Sequence, residues 1–336
     1  MKIKNYFTPK SLVYTGKHDE VKTTIRHYHY NENNLKMTNN FKPMDGYKSY
    51  IQVIGLSDIE KIKSLKDDYS VNILTLEDIF NVEQRNKIEH KEQYIFSVFG
   101  VDYLKDEALH HDYMSVLLFS DALITFHEKE PQFLDAIHPL FTEEGSLKKE
   151  SVDYLYFHII DIITDHHLDV YDYLKDAAVT FESDILESKK LNQESVYTLR
   201  KNLLRLKNNV SPILEQFNKL TDKNSPLIHP ENLPLFEDVR DHLKRLDERL
   251  NDLREMMRYL LDLYINNQSN TMNRIMTTLT LFSAIFIPLS FLTGFFGMNF
   301  THFAILDYQN ALLIFVSLCV ILAVLMIMLF KKMKWF

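Results

Sequence analysis

Two uncharged runs near the C-terminal end constrain this 336-residue chain more than any other feature. Residues 275–296 and 311–330 hold no Asp, Glu, Lys or Arg over 22 and 20 positions. A 22-residue helix reaches ~33 Å, enough for a hydrocarbon core of about 30 Å. Only residues 297–310 lie between the runs, so the pattern predicts a tight transmembrane hairpin with a short loop. Lys331, Lys332 and Lys334 follow the second run and Arg274 precedes the first, while the loop has neither Lys nor Arg. The positive-inside rule then predicts a plasma-membrane protein with both termini cytoplasmic and Gly297, Met298 and Asn299 at the outer face. The basic tail reads as an interfacial anchor.

The formal charge is −8, and −11 for residues 1–330. That balance favours cations as partners and argues against nucleic acid. Cys319, the only cysteine, lies in the second run, which excludes an intrachain disulfide. The first 20 residues are polar and lack the apolar core of a signal peptide, so the first span is expected to do the targeting. There are seven glycines and no Gly-rich phosphate loop. Neither an ATP site, an organic cofactor nor an enzymatic activity is expected.

The chain reads as α+β, with an N-terminal α/β cytoplasmic domain (1–150), an acidic helical hairpin (151–234), a helical stalk (235–274) and the C-terminal two-helix hairpin. Residues 21–30 alternate as a strand, with His27 and His29 expected on its exposed face. Residues 50–55 and 94–99 read as further strands, 57–65 as a short helix, and 115–126 as two strands reversing at Ser120 and Asp121. Two long helices follow, with Pro212 inside the second and acidic positions from Asp161 to Glu187 along the first. The third has the clearest period. Val239, Leu243, Leu246, Leu250, Leu253, Met257, Leu260 and Tyr264 recur every three or four residues, a heptad seam that can pack on its own domain or on copies of itself. With no Gly or Pro before the first apolar run, seam and span are expected to be one helix of about 60 residues, ~90 Å long.

The segment Thr293-Gly294-Phe295-Phe296-Gly297-Met298-Asn299-Phe300, at the outer end of the first of two terminal spans, resembles the signature of the CorA family of magnesium channels. The Ile287-Pro288-Leu289-Ser290 segment and the basic tail are similar too, as is Leu76-Glu77-Asp78-Ile79-Phe80-Asn81-Val82-Glu83-Gln84-Arg85-Asn86-Lys87 in the soluble part. The resemblance implies a homopentameric channel that admits Mg2+, with Co2+ or Ni2+ as passengers. It implies a selectivity filter at Gly297, Met298 and Asn299 and pore-lining positions Asn273, Met276, Leu279, Ile287 and Ser290. It also implies a regulatory Mg2+ bridging Asp78 to Asp262 of a neighbouring subunit, with Glu77, Asp165, Asp238 and His242 at a second site nearby. A basic belt of Lys331, Lys332 and Lys334 would face the acidic helices. Ile287 and Ser290 stand where many members have Met and Thr, Phe296 where Tyr is frequent, and Asn86 where Pro is usual. The loop lacks the family's Met-Pro-Glu-Leu, leaving Asp307 as its one carboxylate.

The chemistry suits the ion. Mg2+ takes hard oxygen ligands in octahedral geometry and sheds water reluctantly, so a ring of neutral Asn299 amides can hold its hydration shell without trapping it. Carboxylates held close repel unless a cation intervenes, so ion occupancy can decide whether subunits stay together. Each position has a plainer reading. Gly297 and Asn299 can simply cap a helix in the left-handed conformation. Thr280, Ser283 and Ser290, which share a stripe with the pore positions, can bond their own helix carbonyls. Asp78 can be a helix charge and Asp262 a solvated one. His110-His111-Asp112 and Asp165-His166-His167 suggest a transition metal less than solvated histidines. Two rival functions remain: a zinc transporter of the same architecture, and a membrane-anchored coiled-coil scaffold that conducts nothing.

Overall fold

The computed structural model describes residues 12–137, 141, 146–187, 192–221, 226–298 and 309–333. Its N-terminal part is a seven-stranded sheet of order β2-β1-β3-β7-β6-β5-β4. The strands are β1 (Thr24–Tyr30), β2 (Leu35–Thr38), β3 (Lys48–Ile54), β4 (Lys87–His90), β5 (Ile95–Lys105), β6 (Ala108–Leu118) and β7 (Ala122–His127). All neighbours are antiparallel except β3 and β7, which run parallel with Ile51 opposite Ile124. β5 and β6 make the longest ladder, from Ile95 opposite Leu118 to Lys105 opposite Ala108. Asp106 and Glu107 close that hairpin with φ of 51° and 60°, the left-handed pair that a two-residue turn requires.

Both faces of this sheet are covered, and the covering explains its continuous burial. One face packs on three short helices, α1 (Ile59–Lys63), α2 (Leu65–Tyr69) and α3 (Ile73–Phe80), through Ile51, Val53, Phe96 and Val98 against Ile62, Leu65, Leu76 and Ile79. The expected single helix over 57–65 is therefore two, with Ser64 ending α1 and starting α2. Ser97, which alternation turns to the opposite face, bonds Tyr156 of the next long helix at 2.6 Å. Phe141 stacks on Tyr28 and Tyr50 from the same side.

His27 and His29 correct the expectation of an exposed strand face. They are 0% and 1% exposed, with ring centroids 3.6 Å apart. They lie on the face of Ile25, and that face is roofed. His27 Nδ1 bonds the Asn40 carbonyl at 2.9 Å and His29 Nε2 the Thr38 hydroxyl at 3.0 Å. Burial lowers His27 to about 4, with the Asn40 contact opposing and His29 adding to the shift. Burial lowers His29 as well, and Lys36 reinforces it.

After the short α4 (Ser146–Lys149) come α5 (Val152–Leu186), α6 (Gln193–Thr221) and α7 (Leu233–Phe296). Asp153, buried in the first turn of α5, accepts from the His229 backbone and ring at 2.9 and 2.8 Å and from Asn232 at 2.9 Å. That carboxylate ties the approach to α7 onto the start of α5. The seam of α7 is buried in its own chain: Val239, Leu243, Leu246, Leu250, Leu253, Met257 and Leu260 are all in the core. Lys207 of α6 reaches Asp247 and Asn251 of α7 at 3.4 and 2.6 Å. Arg249 lies over the Tyr171 ring of α5 at 5.9 Å.

The chain divides into two compact units. One holds residues 1–184 and 190–258, the other residues 185–189 and 259–336. The second contains the C-terminal part of α7 and α8 (Ala311–Lys332), which among the described residues are the two helices long and apolar enough to cross a membrane. Their covered positions form matching stripes: Thr277, Leu281, Ala284, Pro288, Leu292 and Phe296 on α7, and Ala311, Phe315, Cys319, Leu322, Met326 and Phe330 on α8. The Phe296 and Phe315 rings meet at 5.1 Å. The rest of both helices presents bare Leu, Ile, Val and Phe, which water would penalise and lipid does not.

Candidate functional site

The pore positions inferred from the sequence occupy the side of α7 that α8 leaves free. Asn273, Met276, Leu279, Ser283, Ile287 and Ser290 are all exposed in the single chain, three or four residues apart. The stripe thus combines amide and hydroxyl groups with bulky apolar side chains. Thr280, its alternative member, donates to the Met276 carbonyl at 2.8 Å, as Thr278 does to Arg274 at 2.9 Å. Those hydroxyls are satisfied within their own helix. Ser290 instead lends its carbonyl to Thr293 at 3.0 Å.

At the end of α7, the Gly297 N–H still bonds the Thr293 carbonyl at 3.0 Å and Met298 closes a looser turn on Phe295 at 3.4 Å. A Cβ on Gly297 would fall 2.9 Å from the Thr293 oxygen. Glycine is needed here for close approach. It is not a left-handed cap, since the described glycines with positive φ are Gly46 and Gly55. Asn299, Asp307 and Lys334 lie outside the described residues, while Lys331 and Lys332 form the last turn of α8.

In the first unit, Asp78 sits in the last turn of α3 and its carboxylate is already paired. Oδ2 lies 2.7 Å from Lys87 Nζ, and the same ammonium reaches Glu89 Oε1 at 2.9 Å. Burial alone would lower the Lys87 pKa, but Asp78 and Glu89 hold it above the ordinary lysine value. The Tyr113 hydroxyl bonds the Asp78 carbonyl at 3.3 Å, and the Gln84 amide donates to the same oxygen. Glu77 and, in the second unit, Asp262 are exposed.

Asp165, Asp238 and His242 come together, joined by Asp161 from the acidic run of α5. Burial raises Asp161, Asp165 and Asp238 push the same way, and His242 opposes them. His242 Nε2 lies 3.9 Å from Asp238 Oδ2. Among the described residues no three His, Cys, Asp or Glu groups of one chain are disposed to hold a metal ion. Of the remaining histidine motifs, His111 is exposed, His110 and His166 are half-buried and His167 is buried. Buried Asp102 collects His111 Nδ1 at 3.1 Å, Arg205 Nε at 2.7 Å and Asn209 Nδ2 at 2.7 Å. Its backbone N–H donates to His167 at 3.3 Å, while Asp112 pairs with Lys129 at 2.7 Å. Burial would raise Asp102, yet His111, His167 and Arg205 hold it below the usual carboxylate range.

A family model described as CorA-like Mg2+ transporter protein matches residues 53–332. The chain belongs to that family. Over 338 residues it is 28% identical to the cobalt/magnesium transport protein CorA of Thermotoga maritima, spanning 97% of this chain and 96% of that one. It is 29% identical over 182 residues to the zinc transport protein ZntB of Yersinia enterocolitica, spanning 54% of this chain and 55% of the relative. In fold it is similar to the complete CorA magnesium transporter structure from Methanocaldococcus jannaschii, with a TM-score of 0.79, 17% identity, and 94% of this chain and all of the other covered. As a CorA-family protein with two membrane-spanning helices, the chain is a divalent-cation transporter rather than an enzyme.

Proposed function

We propose that the chain is one subunit of a homopentameric plasma-membrane channel, with both termini cytoplasmic, which admits Mg2+ down the membrane potential and also passes Co2+ and Ni2+. The observation that carries this reading is the end-to-end similarity to the Thermotoga cobalt/magnesium protein. The free stripe on α7, ending at Gly297, supports it. Copies arranged with that stripe inward would line a pore with Asn273, Ser290 and, at the mouth, Asn299, whose amides meet the waters of hydrated Mg2+. Met276, Leu279 and Ile287 supply apolar rings that close by excluding water. Asp307 would gather cations outside, and Lys331, Lys332 and Lys334 would belt the inner mouth. An inside-negative potential contributes ~2.3 kcal/mol per charge per 100 mV, so a divalent ion gains about 4.6 kcal/mol without ATP.

Regulation would come from Mg2+ shared by Asp78 and Asp262 of the adjacent subunit, with Glu77, Asp165, Asp238 and His242 nearby. The donor set fits that ion: the candidates are carboxylates except for His242, and among the described residues one carboxylate oxygen of Asp78, Oδ2, is engaged within the chain. Mg2+ bound there would hold subunits together in a closed state.

The test is Mg2+ entry into proteoliposomes under an inside-negative potential, wild type beside Asn299→Ala. Entry that is lost or made unselective in the variant is expected. No entry through well-folded wild type at low internal Mg2+ rejects the reading. The match to a zinc transport protein favours Zn2+ as the alternative cargo, and competition among the four ions in the same assay separates the two.

A further inference from the structure

The Asp78 carboxylate does not wait bare for an ion. Lys87 Nζ stands 2.7 Å from it, on a side chain only 20% exposed beside an aspartate 33% exposed. Nζ lies over the Phe96 ring, 5.2 Å from its centroid, so the ammonium has a fixed seat and is not a loose surface charge. Both backbones are pinned. Lys87 pairs with Val98 in the β4–β5 ladder, and the end of α3 is tied by Tyr113 and Gln84. A second seat is within reach: Glu89 Oε1 lies 2.9 Å from the same ammonium, and Glu89 also pairs with Lys91 at 2.8 Å.

We propose that Lys87 is a tethered cation that occupies Asp78 when the regulatory ion is absent and competes with it, with Glu89 as the seat to which it retreats. The inference rests on the reading of Asp78 as an ion-binding carboxylate. Lys87 holds Oδ2 alone, but Mg2+ on the other oxygen of the same carboxylate would stand only a few ångströms from the ammonium, and like charges that close repel strongly. Each binding event therefore includes releasing Lys87 from Asp78 while it keeps Glu89, already 2.9 Å away, and the strength of the Lys87–Asp78 contact sets the Mg2+ concentration at which the site fills.

The experiment is Mg2+ protection of the full-length protein against chymotrypsin, which does not cut at lysine, titrated in wild type, Lys87→Met, Lys87→Arg, Glu89→Gln and Asp78→Asn. A hydrogen bond to a charged group corresponds to roughly a tenfold change in occupancy. Lys87→Met is therefore expected to lower the protecting Mg2+ midpoint by about tenfold. Lys87→Arg should stay near wild type. Glu89→Gln, which removes the retreat, should move the midpoint upward. Opposite shifts are not the signature of a merely structural pair. An unchanged or raised midpoint in Lys87→Met, with Asp78→Asn losing protection, overturns the competition and leaves Asp78 as a ligand. Protection unaffected by Asp78→Asn overturns both. If Lys87→Met does not fold, an unmoved or lowered midpoint in Glu89→Gln overturns the competition.

Discussion

His27 shows how a single residue type carries different meanings on a covered and an uncovered sheet. Alternation through His27, Tyr28, His29 and Tyr30 gives the period of a strand, and amphipathic side chains leave open which faces are roofed. Here both are. The folded chain holds His27 near 4 against an ordinary value of about 6.5, so the unfolded chain binds the proton more readily. The contribution of neutral His27 is whole above about pH 6.5 and is lost as pH falls toward 4. His27→Gln should therefore lose less thermal stability between pH 7 and 5 than wild type does, read by intrinsic fluorescence of the full chain. Equal losses would remove His27 from the account. The Asp78–Lys87 pair was hidden for another reason: its partners are nine residues apart, on a helix and on an edge strand, and only the turn between them brings the charges together.

Among the elements, the long and strongly periodic ones were readable. The α7 seam declares itself because one face repeats over several heptads, and the two apolar runs because nothing else explains such lengths without charge. The edge strands β2 and β4, four residues each, are too short to show a period. The parallel pairing of β3 with β7 is not encoded in either strand alone. The seam packs on α5 and α6 of its own chain, which gives it a measurable weight. Leu250→Ala removes a fully buried side chain and should cost about 2–5 kcal/mol of unfolding free energy. Glu248→Ala, on the exposed side of the same turn, should cost less than about 0.5 kcal/mol. Equal effects in denaturant titrations would show that the seam is not a core.

For the whole molecule, the proposed regulation links a carboxylate on α3 with one on α7 of another copy. Asp262 is exposed in the single chain, so replacing it has little to disturb within the chain. Asp262→Lys should weaken Mg2+ protection of the full-length protein against chymotrypsin and leave its unfolding temperature without Mg2+ unchanged. Undiminished protection rules out Asp262 as a ligand. The two-helix hairpin and the long helix before it were legible from the sequence, and so was the stripe that α8 leaves free, because helical spacing alone groups those residues. Asp165, Asp238 and His242 were grouped by the family resemblance and not by spacing, while the place of Asp161 among them was not legible, since it depends on how α5 meets α7.

The central parallel pair also sets an order of events during synthesis. Ile51 must wait for Ile124, so the middle of the sheet cannot close until β7 has left the ribosome. From His127 to the first apolar residue, Ile275, nearly 150 more residues must then be made. At translation speeds of about 5–20 residues per second, that interval lasts on the order of 10 s. That interval lets the sheet close before the membrane is reached, and the ribosome delivers the greasy hairpin to a chain whose slowest pairing has already had its chance to form.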